Sequence, residues 1–189
     1  MTACLLAEER EVLLDIAQGA ILARLRHEEW PLFHPPALPA RVREKGGAFV
    51  TLTRRGDGTL RGCVGYVNAV FPLWDAVARA AQAAAFDDGR FARVTFKEFP
   101  DLALEISVLG EPRPLKPEAV EVGTHGLVIR RGGSSGLLLP QVPVEHAWDR
   151  TTFLDATCRK AGLPTGAWRD PATEVLGFTA EVFGRASLP

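Results

Sequence analysis

Gly47-Ala48-Phe49-Val50-Thr51-Leu52-Thr53-Arg54 alternates in the manner of a strand. Arg55-Gly56-Asp57-Gly58 comes next, and residues 59–67 (TLRGCVGYV) return. Glycine accepts positive φ, so this spacing predicts a β-hairpin with a tight turn at 55–58. A second hairpin is predicted where residues 126–131 (GLVIRR) and 136–141 (GLLLPQ) flank Gly132-Gly133-Ser134-Ser135.

Helical periodicity surrounds these hairpins. Val12, Leu13, Ile16, Ala20, Ile21 and Leu25 recur at three- and four-residue steps, predicting an amphipathic helix over 7–28. Pro72 opens an alanine-rich helix that buries Leu73, Val77, Ala80, Ala81 and Ala84 and ends at Asp87-Asp88-Gly89. Asp149 can cap a helix over 150–161, which Gly162 terminates. Thr95-Phe96-Lys97-Glu98 has capping-box spacing and predicts one short helical turn. Residues 102–109 (LALEISVL) and 173–183 (TEVLGFTAEVF) read as further strands. Residues 30–39 (WPLFHPPALP) hold four prolines, which excludes a helix; their apolar character predicts a segment lying on the body of the protein. Hairpins mixed with helices predict an α+β protein, with a largely antiparallel sheet and flanking helices.

Composition bounds the function. The chain has 189 residues, enough for one domain with a real core. Its 22 Lys and Arg against 23 Asp and Glu give a net charge of −1, so no basic footprint points to nucleic acid or a membrane surface. No apolar run approaches the roughly 18 residues that span a bilayer. The N-terminal MTACLLAEEREV has no basic n-region and is not expected to be a secretory signal. Three cysteines at wide spacing, without C-x-x-C, point to free thiols in a reducing, cytoplasmic setting. P-loop, dinucleotide, H-E-x-x-H and G-x-S-x-G patterns are missing.

The chemistry-bearing stretch is Leu60-Arg61-Gly62-Cys63-Val64-Gly65. Cys63 between Gly62 and Gly65 leaves backbone N–H groups open to an anion or a carbonyl oxygen. Arg61 could depress the thiol pKa or bind a carboxylate or phosphate. In a regular strand Arg61 and Cys63 would share one face. The structural alternative is a small packed cysteine whose glycines permit close approach. Gly62-x-x-Gly65 also has the form of an RNA-clamping loop, but its place in a strand argues against that role. Glu105 interrupts an apolar strand, as either a tuned acid–base group or an exposed charge. His125 begins the second hairpin, as either a base for Cys63 or a turn histidine bonded to the backbone. Cys63, Glu105 and His125 are all ligand types, but their spacing demands no metal.

Several segments together resemble the AMMECR1 domain family. Residues 60–65 resemble its L-R-G-C-I-G signature, with Val64 for Ile, and Asp88-Gly89-Arg90-Phe91 resembles its D-P-R-F. Residues 105–109, His125-Gly126-Leu127, residues 138–142 with Glu145 and Trp148, Phe153-Leu154, Cys158, residues 160–163 and Trp168 match in the same order. The resemblance runs over about residues 8–184 of a single domain spanning 1–189, and is closest to the prokaryotic branch called AmmeMemoRadiSam system protein A. It implies an α+β fold with a larger and a smaller lobe and a cleft between them. It also implies association with a Memo-like protein and a radical SAM protein, and so a small-molecule modification pathway. It supplies no reaction and no cofactor. Carried onto this sequence, it groups Arg61, Gly62, Cys63, Gly65, Arg90, Glu105 and His125 as a site for an anionic small molecule. Cys63 would be nucleophile or covalent carrier, Glu105 or His125 the base, and Arg61 and Arg90 the anchors. The competing expectation is a non-catalytic module that binds a partner protein, with Trp30 and Phe33 in an apolar strip that could seat it or belong to the core.

Overall fold

In the computed structural model, which describes residues 4–28 and 38–188, the first hairpin forms as the alternation predicts. Strand β1 (Gly47–Arg54) pairs antiparallel with β2 (Leu60–Tyr66) and, on its other side, with β3 (Leu102–Leu109). With β8 (Ala180–Arg185) they make a sheet of order β2-β1-β3-β8. Helix α3 (Leu73–Phe86) packs on β1 and β2, and helix α1 (Ala7–Leu25) packs on α3. A short helix α2 (Ala40–Arg43) touches both. The interior is Leu13, Ile16 and Ile21 of α1, Val77, Ala80 and Ala81 of α3, and Val50, Leu52, Leu104 and Ile106 of the sheet. Burying this apolar face offsets the roughly 1 kcal/mol that Gly19 costs α1. The expectations for residues 30–37, including Trp30 and Phe33, lie outside the described residues. Leu38, at the end of the proline-rich stretch, is buried in this core.

The chain divides into two compact units, residues 1–109 with 181–189, and residues 110–180. The second unit has its own antiparallel sheet, ordered β4-β7-β5-β6 from β4 (Arg113–Pro114), β5 (Gly126–Arg131), β6 (Ser134–Leu138) and β7 (Glu174–Phe178). Helix α5 (Arg150–Lys160) covers β5 and β6, with Phe153, Leu154 and Cys158 in the core. Its predicted cap is present: Asp149 Oδ1 accepts from the Thr152 N–H at 2.7 Å. Gly162 ends it at φ 72°, a conformation that glycine adopts without strain.

Three local expectations are corrected. The second hairpin turns on Gly132-Gly133 alone, and β6 stops at Leu138 rather than 141. Pro140 cannot donate to a ladder; it caps a one-turn helix α4 (Gln141–Glu145) instead. The expected closing strand over 173–183 is two strands, β7 in the second sheet and β8 in the first, separated at Thr179. Thr95 Oγ1 does accept the Glu98 N–H at 3.3 Å and a 3-10 turn forms over Phe99–Asp101, but the Glu98 carboxylate is engaged by Arg61 instead of closing a capping box.

Candidate functional site

The signature strand β2 is the edge of the first sheet. Its register brings Thr51 of β1 opposite Cys63, and the same Thr51 opposite Glu105 of β3. Directly opposed residues in antiparallel strands share a face. Cys63, Thr51 and Glu105 therefore form one row across three strands. That face is the one turned away from α3, since an added Cβ on neighbouring Gly62 would collide with the Ala84 carbonyl of α3.

A side-chain hydrogen bond joins two members of the row. Thr51 Oγ1 lies 3.2 Å from Cys63 Sγ. The N–H of Cys63 donates outward to Asp88 Oδ2 at 2.9 Å, and its carbonyl accepts from Arg90 Nη2 at 3.3 Å. The peptide groups of Cys63 thus point away from β1. The Thr51–Cys63 pair is of the non-hydrogen-bonded kind, in which side chains stand closest.

Asp88 and Arg90 are themselves paired at 2.7 Å. The hydrogen bonds from Arg90, joined by the Cys63 N–H, hold the Asp88 carboxyl well below the usual carboxylate range. Phe91 lies beside two guanidiniums, its ring centroid 5.4 Å from Arg90 Cζ and 6.0 Å from Arg61 Cζ. The 88–91 segment is a latch on the outer edge of β2.

Arg61 does not share the face of Cys63 in the way a regular strand would require. Thr53 pairs with Leu60 while Leu52 pairs with Gly62, so Arg61 is the extra residue of a β-bulge. Its buried side chain makes a two-pronged ion pair with Glu98, Nε to Oε1 at 2.6 Å and Nη2 to Oε2 at 3.1 Å. Gly62 and Gly65 both have packing reasons. Gly62 admits the Ala84 carbonyl, and a Cβ on Gly65 would strike the Phe49 ring.

The Cys63 thiol is half-buried. Burial pushes its pKa up; the Thr51 hydrogen bond and the Arg90 charge pull it down, and Asp88 and Glu105 push it up. The net direction is upward, so the resting group is the neutral thiol. Cys158 is buried in the second unit, and burial raises its pKa also. Cys4 is exposed.

His125 belongs to the second unit. Its Nδ1 accepts the Glu121 N–H at 3.1 Å, the backbone-bonded turn arrangement. The structure thus brings Cys63 and Glu105 into one row through Thr51, ties Arg90 to the Cys63 carbonyl, and commits Arg61 to Glu98. Thr51 is the member that sequence reasoning missed; its only signal was its place in the alternating β1.

The family model described as AMMECR1 matches residues 14–183. Protein TK0174 of Thermococcus kodakarensis is 44% identical over 183 residues, which covers 92% of this chain and 88% of that protein. A protein of Methanothermobacter thermautotrophicus is 44% identical over 183 residues, covering 93% of this chain and 94% of its own length. The crystal structure of the uncharacterized protein PH0010 from Pyrococcus horikoshii shares the fold, with a TM-score of 0.87 at 41% identity over 96% of this chain and 93% of that one. Signature strand, whole-chain similarity and fold agree, and the chain belongs to the AMMECR1 family.

Proposed function

We propose that the Cys63 face of the first sheet is a small-molecule site, with the thiol as its reacting or contacting group. The observation that carries this reading is the row Cys63–Thr51–Glu105, a thiol, a hydroxyl and a carboxyl side by side on three strands. A row of reactive groups on a rigid sheet is held more firmly than one on loops. Because the thiol rests neutral, the chemistry needs a base, and Glu105 is the carboxylate of the row. Both arginines carry a carboxylate partner, Glu98 for Arg61 and Asp88 for Arg90, but Arg61 is buried whereas the Arg90 side chain is 57% exposed, so Arg90 is the anchor open to an anionic ligand.

The test is retention of metabolites. Native protein is dialysed against the small-molecule fraction of a cell extract, and bound compounds are identified by mass spectrometry. The expected result is a compound retained by the wild type and lost in both Cys63→Ser and Glu105→Gln. Equal retention by all three, or none by the wild type, overturns the reading.

A second reading is a non-catalytic interaction module. It is favoured by the packing duties of Gly62, Gly65 and Arg61, which account for most of the signature without a ligand. The Memo-like and radical SAM proteins that the family resemblance implies are the partners proposed for it. Co-purification that survives Cys63→Ser would favour this module over the thiol site.

A further inference from the structure

We propose that Thr51 is the positioning residue of the Cys63 site, fixing the sulfur and carrying the thiol proton toward Glu105 when sulfur bonds to an electrophilic carbon. This rests on the reading of Cys63 as the functional thiol. Thr51 stands between the other two. Toward β2 its hydroxyl is 3.2 Å from Sγ. Toward β3 it is paired with Glu105. Since the Thr51–Cys63 pair is non-hydrogen-bonded, the backbone groups of Thr51 turn to β3, and its Cα lies about 5.5 Å from that of Glu105. At rest the Thr51 hydroxyl donates to Sγ. A hydroxyl has one donor and two acceptor sites, so on rotating about its C–O bond it can accept from S–H while donating to a carboxylate. Valine, the isosteric alternative at a strand position, could do neither.

The step balances within the row. The S–H bond breaks as its proton passes to Thr51 Oγ1, and the Thr51 proton passes to a Glu105 oxygen. The sulfur electron pair forms the new bond to carbon. At a carbonyl carbon the displaced pair moves onto oxygen; with iodoacetamide as probe it leaves with iodide. The charged groups that bear on the thiol are Asp88 and Arg90 from the latch and Glu105 from β3. Burial, with the two carboxylates adding to it, disfavours the thiolate as a resting form, so a relay that removes the proton during bond formation has a purpose.

The experiment is iodoacetamide alkylation of the native full-length chain from about pH 6.5 to 9.5, a range that brackets the free thiol pKa. Each cysteine is read by peptide mass spectrometry. Wild type, Thr51→Val, Thr51→Ser and Glu105→Gln are compared, with exposed Cys4 as internal control. Loss of one hydrogen bond predicts that Thr51→Val slows Cys63 labelling about 3- to 10-fold near neutral pH and moves its profile to higher pH. Thr51→Ser restores both. Glu105→Gln separates charge from proton transfer. If Glu105 acts only as a charge, its loss speeds labelling; if it takes the proton, its loss slows labelling. Slowing in Thr51→Val and Glu105→Gln, with rescue by Thr51→Ser, is the expected outcome. Unchanged labelling in Thr51→Val, or faster labelling in Glu105→Gln, overturns the relay and leaves the thiol site standing. Absence of Cys63 labelling in the native wild type overturns both.

Discussion

The Cys63 N–H donates to Asp88 Oδ2 at 2.9 Å, and this bond closes the open edge of the first sheet at its signature strand. An edge strand exposes unpaired N–H and C=O groups. Here two side chains from one loop satisfy both groups of a single residue, Asp88 the N–H and Arg90 the C=O. The signature strand and the D-x-R-F segment are therefore one structural device, with the thiol on the sheet face turned away from α3.

Asp88→Asn keeps an acceptor for the Cys63 N–H but loses the charge that binds Arg90. Hydrogen bonds to a charged group are worth about 1.5–3 kcal/mol, and a loss in that range is expected at pH 7. The Asp88 carboxyl titrates below its unfolded value of about 3.9. Its contribution is thus complete above that value and drains away as pH falls through the folded pKa. Urea unfolding at pH 7 and again in steps below about pH 4 should show the wild type and the variant converging as the solution becomes acid. A constant gap across that range would mean that the ion pair does not stabilise the latch.

Arg61 and Glu98 give an asymmetry that can be measured. The Arg61 side chain is 5% exposed and Glu98 19%, and Glu98 has a second partner in Arg54 at 3.3 Å. Arg61→Met leaves Glu98 with Arg54 and a route to water. Glu98→Gln leaves a buried guanidinium without its carboxylate, the costly half of a broken buried pair, about 3–5 kcal/mol. Glu98→Gln is expected to destabilise more than Arg61→Met, and the double variant to recover part of the loss. Denaturant midpoints of the three variants decide it; the opposite order would mean that stacking beside Phe91 outweighs the ion pair.

The elements were legible in the sequence where one local signal sufficed. The 47–67 hairpin, the alanine-rich α3 and the Asp149 cap each stem from a few adjacent residues. The split of 173–183 was not, because alternation with period two continues through Thr179 and says nothing about which sheet a residue joins. The partnership of Thr51 with Cys63 was hidden for a sharper reason. Counting outward from the turn, Arg54 bonds to Thr59 and Thr53 pairs with Leu60, which would set Thr51 against Gly62. The bulge at Arg61 moves the register by one and puts Cys63 there instead. The same bulge takes Arg61 out of alternation, so its expected face was wrong for a reason that no residue pattern displays.

Gly89 and Gly62 belong to the same device and should respond in opposite directions. Phe91 N–H donates to Asp88 O at 3.0 Å, so residues 88–91 are a β-turn with Gly89 second. Proline is favoured at that position of the common turns. Gly89 does not have positive φ, and an added Cβ there meets nothing within 4 Å. Gly89→Pro, which restores the proline of the D-P-R-F pattern, is expected to stabilise by about 0.4–1 kcal/mol by restricting the unfolded chain. Gly62→Ala must instead push the Ala84 carbonyl off β2, and an overpacked contact of this kind costs about 1–3 kcal/mol. Thermal melts should place Gly89→Pro slightly above the wild type and Gly62→Ala well below it. A destabilised Gly89→Pro would show that the turn needs a φ that proline cannot supply, and the latch would then depend on glycine there rather than merely tolerate it.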